Sequence, residues 1–281
     1  MKQRAFTSVL RRRAVPAALG ACAVLGLIAV GAAPASAAPL HCKPTIVLEH
    51  GAWANGSSWD GVALVLKSQG YKVDIAPNGL RGLSEDTAQL RAYLANVNGP
   101  VVLVGHSYGG AVISDAATGN SNVRALVFDD AYIPDEGEAI ATLAGPDSAL
   151  ASAATDPTSV FRLAPYAGAP AGIYDTYLLP SVVATDFAPD LPKIEQAYLA
   201  KTQAPASLLA LGEPSSAPAW RSVPSWDVVG MQDKIIPPAA QLSMAARAGS
   251  HVTEINSSHV SLLSHPVQVA SVILKAVHAT D

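Results

Sequence analysis

A serine set between glycines, Gly105-His106-Ser107-Tyr108-Gly109-Gly110, follows the apolar run Val101-Val102-Leu103-Val104. Three β-branched valines in four residues read as a strand buried on both faces. Ala111-Val112-Ile113 then resumes an apolar pattern suited to a helix. A serine held at a tight strand-to-helix turn is thrust out above the end of a sheet, where its hydroxyl can act as a nucleophile. Gly105 and Gly109 allow that turn, because side chains two residues either side of the serine would collide. The pentapeptide Gly-x-Ser-x-Gly arises by chance in about one chain in ten of this length. The valine strand ahead of it supplies the context that chance does not.

A hydroxyl is a poor nucleophile at its free pKa, so Ser107 needs a base and the base needs an orienting acid. The chain order serine, acid, histidine places the base in the last strand-to-helix loop. His259, in Asn256-Ser257-Ser258-His259-Val260, lies there, just past a strand ending at Ile255. Of the other histidines, His41 and His50 come too early, and His106 should point away from its neighbour Ser107. His251 begins a strand and His278 is near the tail, which leaves His265, before Pro266, as the rival. The acid should follow the next-to-last strand, where Asp233 stands in Gln232-Asp233-Lys234-Ile235-Ile236-Pro237. Asp130 is the alternative acid; otherwise it lines the pocket or ties down a loop.

An oxyanion formed at Ser107 needs two aimed backbone N–H groups, each typically contributing roughly 3 kcal/mol. The residue after the nucleophile, Tyr108, supplies one. The loop after the first strand, His50-Gly51-Ala52-Trp53, supplies the other, through Ala52 or else Trp53. Trp53, Asp130, Tyr132 and Val260 are the candidate pocket residues. No cluster of His, Cys and carboxylates has metal-ligand spacing, and no phosphate loop or dinucleotide glycine pattern occurs, so neither metal nor cofactor is expected.

These groups must be carried by elements, and the pattern around them is regular. Strands are expected at about 45–49, 71–75, 101–106, 123–128, 225–230 and 251–255. Helices are expected at about 59–68, from Ser84 as N-cap to about 97, to about 118, from Pro238, and at 263–278. Strand and helix alternate, stop at about 136–221, and resume. The interrupted stretch is rich in Ala, Pro, Ser and Leu, with short helices expected at about 138–144 and 190–201. The expected architecture is α/β: a mostly parallel sheet of about six strands flanked by helices, with a small helical cap inserted after the fourth strand. An insertion at the carboxyl end of a strand stands over the crevice where such sheets bind ligands.

Residues 1–37 read as a cleavable export signal rather than fold. Lys2, Arg4 and Arg11-Arg12-Arg13 form a positive head, an apolar run covers 14–33, and Ala35-Ser36-Ala37 is a cleavage site. The paired arginines fit the twin-arginine route poorly, and apolar sequence continues well past the lipoprotein-like Leu19-Gly20-Ala21-Cys22. Cleavage would leave residues 38–281 as the domain, secreted and without a stable membrane anchor. The formal charge of −4 would become about −9, because the leader holds five basic residues and no acidic one. Nucleic acid and anionic membrane surfaces are poor partners for such a chain. One cysteine, Cys42, would remain, too few for an internal disulfide, so stability must come from the core.

On the motifs His50-Gly51-Ala52-Trp53, Gly105-His106-Ser107-Tyr108-Gly109-Gly110, and Asp233 with Ser258-His259-Val260, the chain resembles the α/β-hydrolase family over nearly all of residues 38–281. It looks most like the small-capped group that holds plant methylesterases and hydroxynitrile lyases, through Asp233-Lys234-Ile235-Ile236-Pro237 and the spacing of His259 and Leu263. That resemblance implies the oxyanion donor at the residue after His-Gly, which is Ala52. The lyases carry a threonine where this chain has Gly51 and a lysine where it has Val260, so lyase chemistry is not implied. The family's usual two strands ahead of the first βα unit are not expected here, because Thr45 stands too close to the cleavage site. The expected function is a secreted serine carboxylesterase acting on small to medium neutral esters or lactones through Ser107, His259 and Asp233. Carbon–carbon bond cleavage, cofactor-free perhydrolysis with the same triad, and a silent binding protein on the same fold are the alternatives.

Overall fold

In a computed structural model, which describes residues 43–280, the site rests on one parallel sheet. The leader at 1–37, with Cys22, lies outside the described residues, as do His41 and Cys42. The first half of the domain alternates strictly: β1 (Thr45–Glu49), α1 (Asp60–Ser68), β2 (Lys72–Ile75), α2 (Leu83–Leu94), β3 (Val101–His106), α3 (Tyr108–Ala116) and β4 (Val123–Asp129). The cap follows, with α4 (Ile140–Leu143), β5 (Phe161–Ala164), β6 (Asp175–Leu178), α5 (Pro180–Val182), α6 (Lys193–Thr202), β7 (Ala206–Ser207) and α7 (Leu208–Gly212). The chain then returns to the sheet with β8 (Ser225–Gly230), α8 (Pro238–Ala248), β9 (His251–Ile255), α9 (Ser261–Ser264) and α10 (Pro266–Thr280).

The six strands of the main sheet run in the order β2-β1-β3-β4-β8-β9, all parallel. Every residue of β1, β3 and β8 is buried, as expected of strands covered on both faces. α1 packs on α10, and α2 packs on α3. Right-handed crossovers put these pairs on opposite faces of the sheet. In α10 the buried residues Val269, Ala270, Val272, Ile273, Ala276 and Val277 form one helical stripe. Leu103, fully buried at the sheet's centre, illustrates the scale of this core: truncation to alanine there costs about 2–5 kcal/mol.

The strand order reverses between β1 and β3, which pair from Thr45↔Val101 to Glu49↔Gly105. Chain leaving β1 and chain leaving β3 therefore part to opposite faces and open a crevice between their carboxyl ends. The loop at 50–53 and the serine turn occupy those two ends.

Two details differ from the sequence reading. The cap is not purely helical: β5, β6 and β7 form a three-stranded antiparallel sheet, with Phe161 opposite Leu178 and Asp175 opposite Ser207. Ser84 is not an N-cap. α2 starts one residue earlier, and the Ser84 N–H is satisfied from outside by Glu213 Oε2 at 2.9 Å. The cap is joined to the sheet domain by Arg81–Asp175 (2.8 Å), Trp53 Nε1 to Thr176 Oγ1 (3.0 Å) and the Ser258 N–H to Asp190 (3.0 Å).

Candidate active site

β3 runs directly into Ser107, whose backbone (φ 53, ψ −122) lies in a region L-residues rarely adopt, and α3 begins at the next residue. A Cβ on Gly105 would stand 2.5 Å from the Gly109 carbonyl oxygen, so the turn closes only over glycine. β4 buttresses it: the Ser107 N–H donates to Asp129 O (3.2 Å), and the Ser107 carbonyl accepts from Tyr132 N–H (3.2 Å). Strain at such a residue costs about 1–3 kcal/mol and persists because the surroundings over-determine it.

His259 comes from the loop after β9 and Asp233 from the loop after β8. Ser107 Oγ lies 2.8 Å from His259 Nε2, and His259 Nδ1 lies 2.7 Å from Asp233 Oδ2. The Asp233 carboxylate also accepts from the Ile235 N–H (2.7 Å), the Ile236 N–H (3.0 Å) and Gln241 Nε2 (2.8 Å). Burial pushes the Asp233 carboxyl up, while those N–H donors pull it down. Since both oxygens face donors, the acid fits as the acceptor, which puts the imidazole proton on Nδ1 and leaves Nε2 free to take a proton from Ser107. Burial lowers the His259 pKa to about 4, so the ring is neutral at ordinary pH. Sequence reasoning missed Gln241. Its signal was an amide at a buried position of α8, on the stripe shared with Met244 and Ala245.

His106 is turned to a different task. Its Nε2 lies 2.8 Å from the His259 carbonyl oxygen, and burial lowers its pKa to about 3. The neutral ring thus donates to the backbone of the histidine beside Ser107. His265 pairs with Ser264 Oγ (2.8 Å) and does not join the Ser107 chain.

Asp130 does not line the cavity above Ser107. Fully buried at the end of β4, it accepts from the Gly230 N–H (2.7 Å) and the Ser261 N–H (3.0 Å). Asp129 Oδ1 accepts from the Ser261 hydroxyl (2.7 Å). Adjacent carboxyls therefore hold the residue two beyond His259, while Gly230 carries the Asp233 N–H on its own carbonyl (3.0 Å). Burial, and then the charge of Asp233, raises the Asp130 pKa to about 7.

On the other side of Ser107, Gly51 approaches so closely that a Cβ there would meet Ser107 Cβ at 2.7 Å and His106 O at 2.8 Å. Ala52 and Tyr108 both border the cavity above Ser107. Among the hydrogen bonds of the described residues, neither backbone N–H is spent on a protein acceptor. Tyr108 is the first residue of α3, so its N–H is free of the helix ladder. Its hydroxyl donates to Asp86 Oδ2 (2.6 Å), which pins the helix start.

The cavity encloses about 200 Å³ between the sheet domain and the cap, walled by residues such as Trp53, Tyr132, Ile140, Leu150, Phe161 and Leu211. Among the described residues, neither a lysine, an arginine nor a carboxylate borders it. Of the four expected pocket residues, Trp53 and Tyr132 are in this wall. Asp130 is not, for the reason given above. Val260 is not either, and instead borders a smaller adjoining cleft with Phe187 and Leu199.

The model of the Alpha/beta hydrolase family matches residues 46–272. A carbendazim hydrolyzing esterase from Nocardioides sp. (strain SG-4G) is 35% identical over 111 residues, which span 34% of this chain and 46% of that relative's length. Among solved structures, polyneuridine aldehyde esterase superposes with a TM-score of 0.67 at 22% identity, covering 83% of this chain and 99% of its own. An extracellular alpha/beta-hydrolase from a Paenibacillus species gives 0.68 at 21% identity, covering 83% and 98%. At these identities the likeness is one of fold.

Proposed function

The chain belongs to the alpha/beta hydrolase family, and from that membership we propose that it is an exported serine esterase for small to medium neutral esters or lactones. The observation that carries this reading is the hydrogen-bonded chain Ser107–His259–Asp233, opening on an apolar cavity. Ser107 Oγ attacks the ester carbonyl as His259 Nε2 takes its proton. Asp233 holds the imidazolium, and the Ala52 and Tyr108 N–H groups receive the oxyanion. His259 returns the proton to the departing alcohol, leaving an acyl-serine. Water, deprotonated by the same ring, then releases the acid.

The cavity wall supports neutral, apolar substrates, because a charged group moved into it would be desolvated without a partner. The crowding at Gly51 counts against lyase chemistry of the kind that uses a threonine there, since even a methyl group meets Ser107. The positive head, apolar run and cleavage site of residues 1–37 support export.

A fluorophosphonate probe should label the purified protein, and Ser107→Ala should abolish both labelling and p-nitrophenyl ester hydrolysis. Hydrolysis retained by that variant overturns the assignment. A panel varying acyl and alcohol length measures the pocket, and turnover confined to long acyl chains contradicts the substrate size proposed.

A further inference from the structure

The polar side chains on the cavity wall can be accounted for in turn. Ser107 belongs to the nucleophile chain. Trp53 Nε1 donates to Thr176, the Tyr108 hydroxyl donates to Asp86, and Ser148 Oγ donates to Ile235 O while accepting the Leu150 N–H. Tyr132 is left. It borders the cavity, is only 5% exposed, and its hydroxyl makes no hydrogen bond among the described residues. Its position is fixed, because its own N–H donates to the Ser107 carbonyl oxygen at 3.2 Å. The hydroxyl is reached from the cavity, so the cost of about 1–3 kcal/mol for an unpaired buried phenol arises only when an apolar chain fills that space, a cost that phenylalanine in the same wall would not carry. Burial, and then the charge of Asp233, raises the Tyr132 pKa above the ordinary phenol value. The group is thus a neutral donor throughout the working range.

We infer that the Tyr132 hydroxyl is a specificity-determining donor, which selects esters carrying an acceptor oxygen within the otherwise apolar chain that fills the cavity. The inference rests on the esterase reading and names its substrate class more closely: oxa- or oxo-substituted chains over plain alkyl chains of equal length. A wall that holds one uncommitted donor among hydrocarbon discriminates by leaving that donor unpaired when the wrong chain enters. Ser107, His259 and the oxyanion donors are untouched by this contact, so it acts on choice of substrate and not on the chemistry.

The test walks one ether oxygen through the substrate. p-Nitrophenyl hexanoate is compared with the propoxyacetate, 3-ethoxypropanoate and 4-methoxybutanoate esters, and hexyl acetate with acetates of the matching oxa-alcohols, for wild type and Tyr132→Phe. Intrinsic reactivity cancels when the oxa-to-carba ratio of kcat/KM is compared between the two proteins. At one oxygen position the ratio should fall about tenfold in the variant, the scale of one hydrogen bond. In wild type alone, that position should also exceed the preference shown by hydroxide-catalysed hydrolysis, a readout that does not depend on the variant folding. Turnover with ratios within about twofold of one another at every position of both walks overturns this inference alone. Absence of turnover on any ester overturns the esterase reading and the inference with it.

Discussion

Asp130 holds the backbone N–H of Ser261 at 3.0 Å, and so ties the end of β4 to the turn that carries His259. Its second oxygen holds the Gly230 N–H at the root of the Asp233 loop. Asp130→Ala leaves two buried N–H groups unpaired and should destabilise the fold by about 2–5 kcal/mol. Asp130→Asn, which keeps one acceptor oxygen but sets an amide against the second N–H, should fall between. Because the clamp positions His259 and not the substrate, kcat should drop more than KM rises. Thermal unfolding together with ester kinetics on both variants checks this.

The acid limb of the pH profile follows from the burial of His259. In the proposed mechanism the neutral ring is the base, so activity requires pH above its pKa, and burial lowers that value to about 4. The kcat/KM profile should therefore hold down to about pH 4 and fall below it, instead of falling near the ordinary histidine value of about 6.5. A pH series with a neutral ester measures it, and a midpoint near 6.5 contradicts the buried, neutral base.

Asp227 is fully buried in β8 with no hydrogen-bond partner for either carboxyl oxygen among the described residues. Burial, and then the charges of Asp130 and Asp129, raises its pKa well above the usual carboxylate range. A raised carboxyl contributes full stability below the unfolded value of about 3.9 and loses it as pH climbs toward the folded value. Asp227→Asn removes that dependence. It should match wild type near pH 4 and be more stable by about 1 kcal/mol or more at pH 7. Chemical denaturation at the two pH values reads the difference, and an equal shift at both would show that the charge is not the cause.

Gly51→Ala should leave the domain folded, since the first strand is held along its whole length by β2 and β3. The new methyl group would push Ser107 or the Ala52 N–H out of line by a fraction of an ångström. A misplacement of about 1 Å can cost about 10²-fold, so kcat should fall by up to that factor. Circular dichroism and ester kinetics separate the two effects.

The main sheet was legible in the sequence because its strands are continuous apolar runs bounded by glycine, asparagine and proline. β3 and its following glycines are the plainest case, and the expectation of about six strands rests on the same signals, whereas their order in the sheet comes from the structure. The spacing that singled out Ser107, His259 and Asp233 came from strand ends, so once those ends lie side by side their side chains meet. The rest depended on partners far along the chain. The cap sheet escaped notice because β5 and β6 are four residues each and pair across a turn rich in Pro, Ala and Gly. Ser84 looked like an N-cap, but its N–H is served by Glu213, a carboxylate more than a hundred residues away. Asp130 had its two possible uses named, pocket wall or loop tie, and only the pairing of β4 with β8 decides for the tie.

Trp53 (φ 60), Ser107 (φ 53) and Asp130 (φ 45) are non-glycine residues at positive φ, and they stand past the ends of β1, β3 and β4, three neighbouring strands. Each conformation costs about 1–3 kcal/mol, so three such costs fall together in the region around the serine. Glycine would relieve the strain at 53 or 130, but it would also remove the indole that bonds Thr176 and the carboxylate that holds two buried N–H groups, so neither position offers a route to a higher melting temperature. Descendants of this sequence that adapt to hotter surroundings without losing activity should therefore differ from it in the cap surface and in α10, and retain all three strained residues.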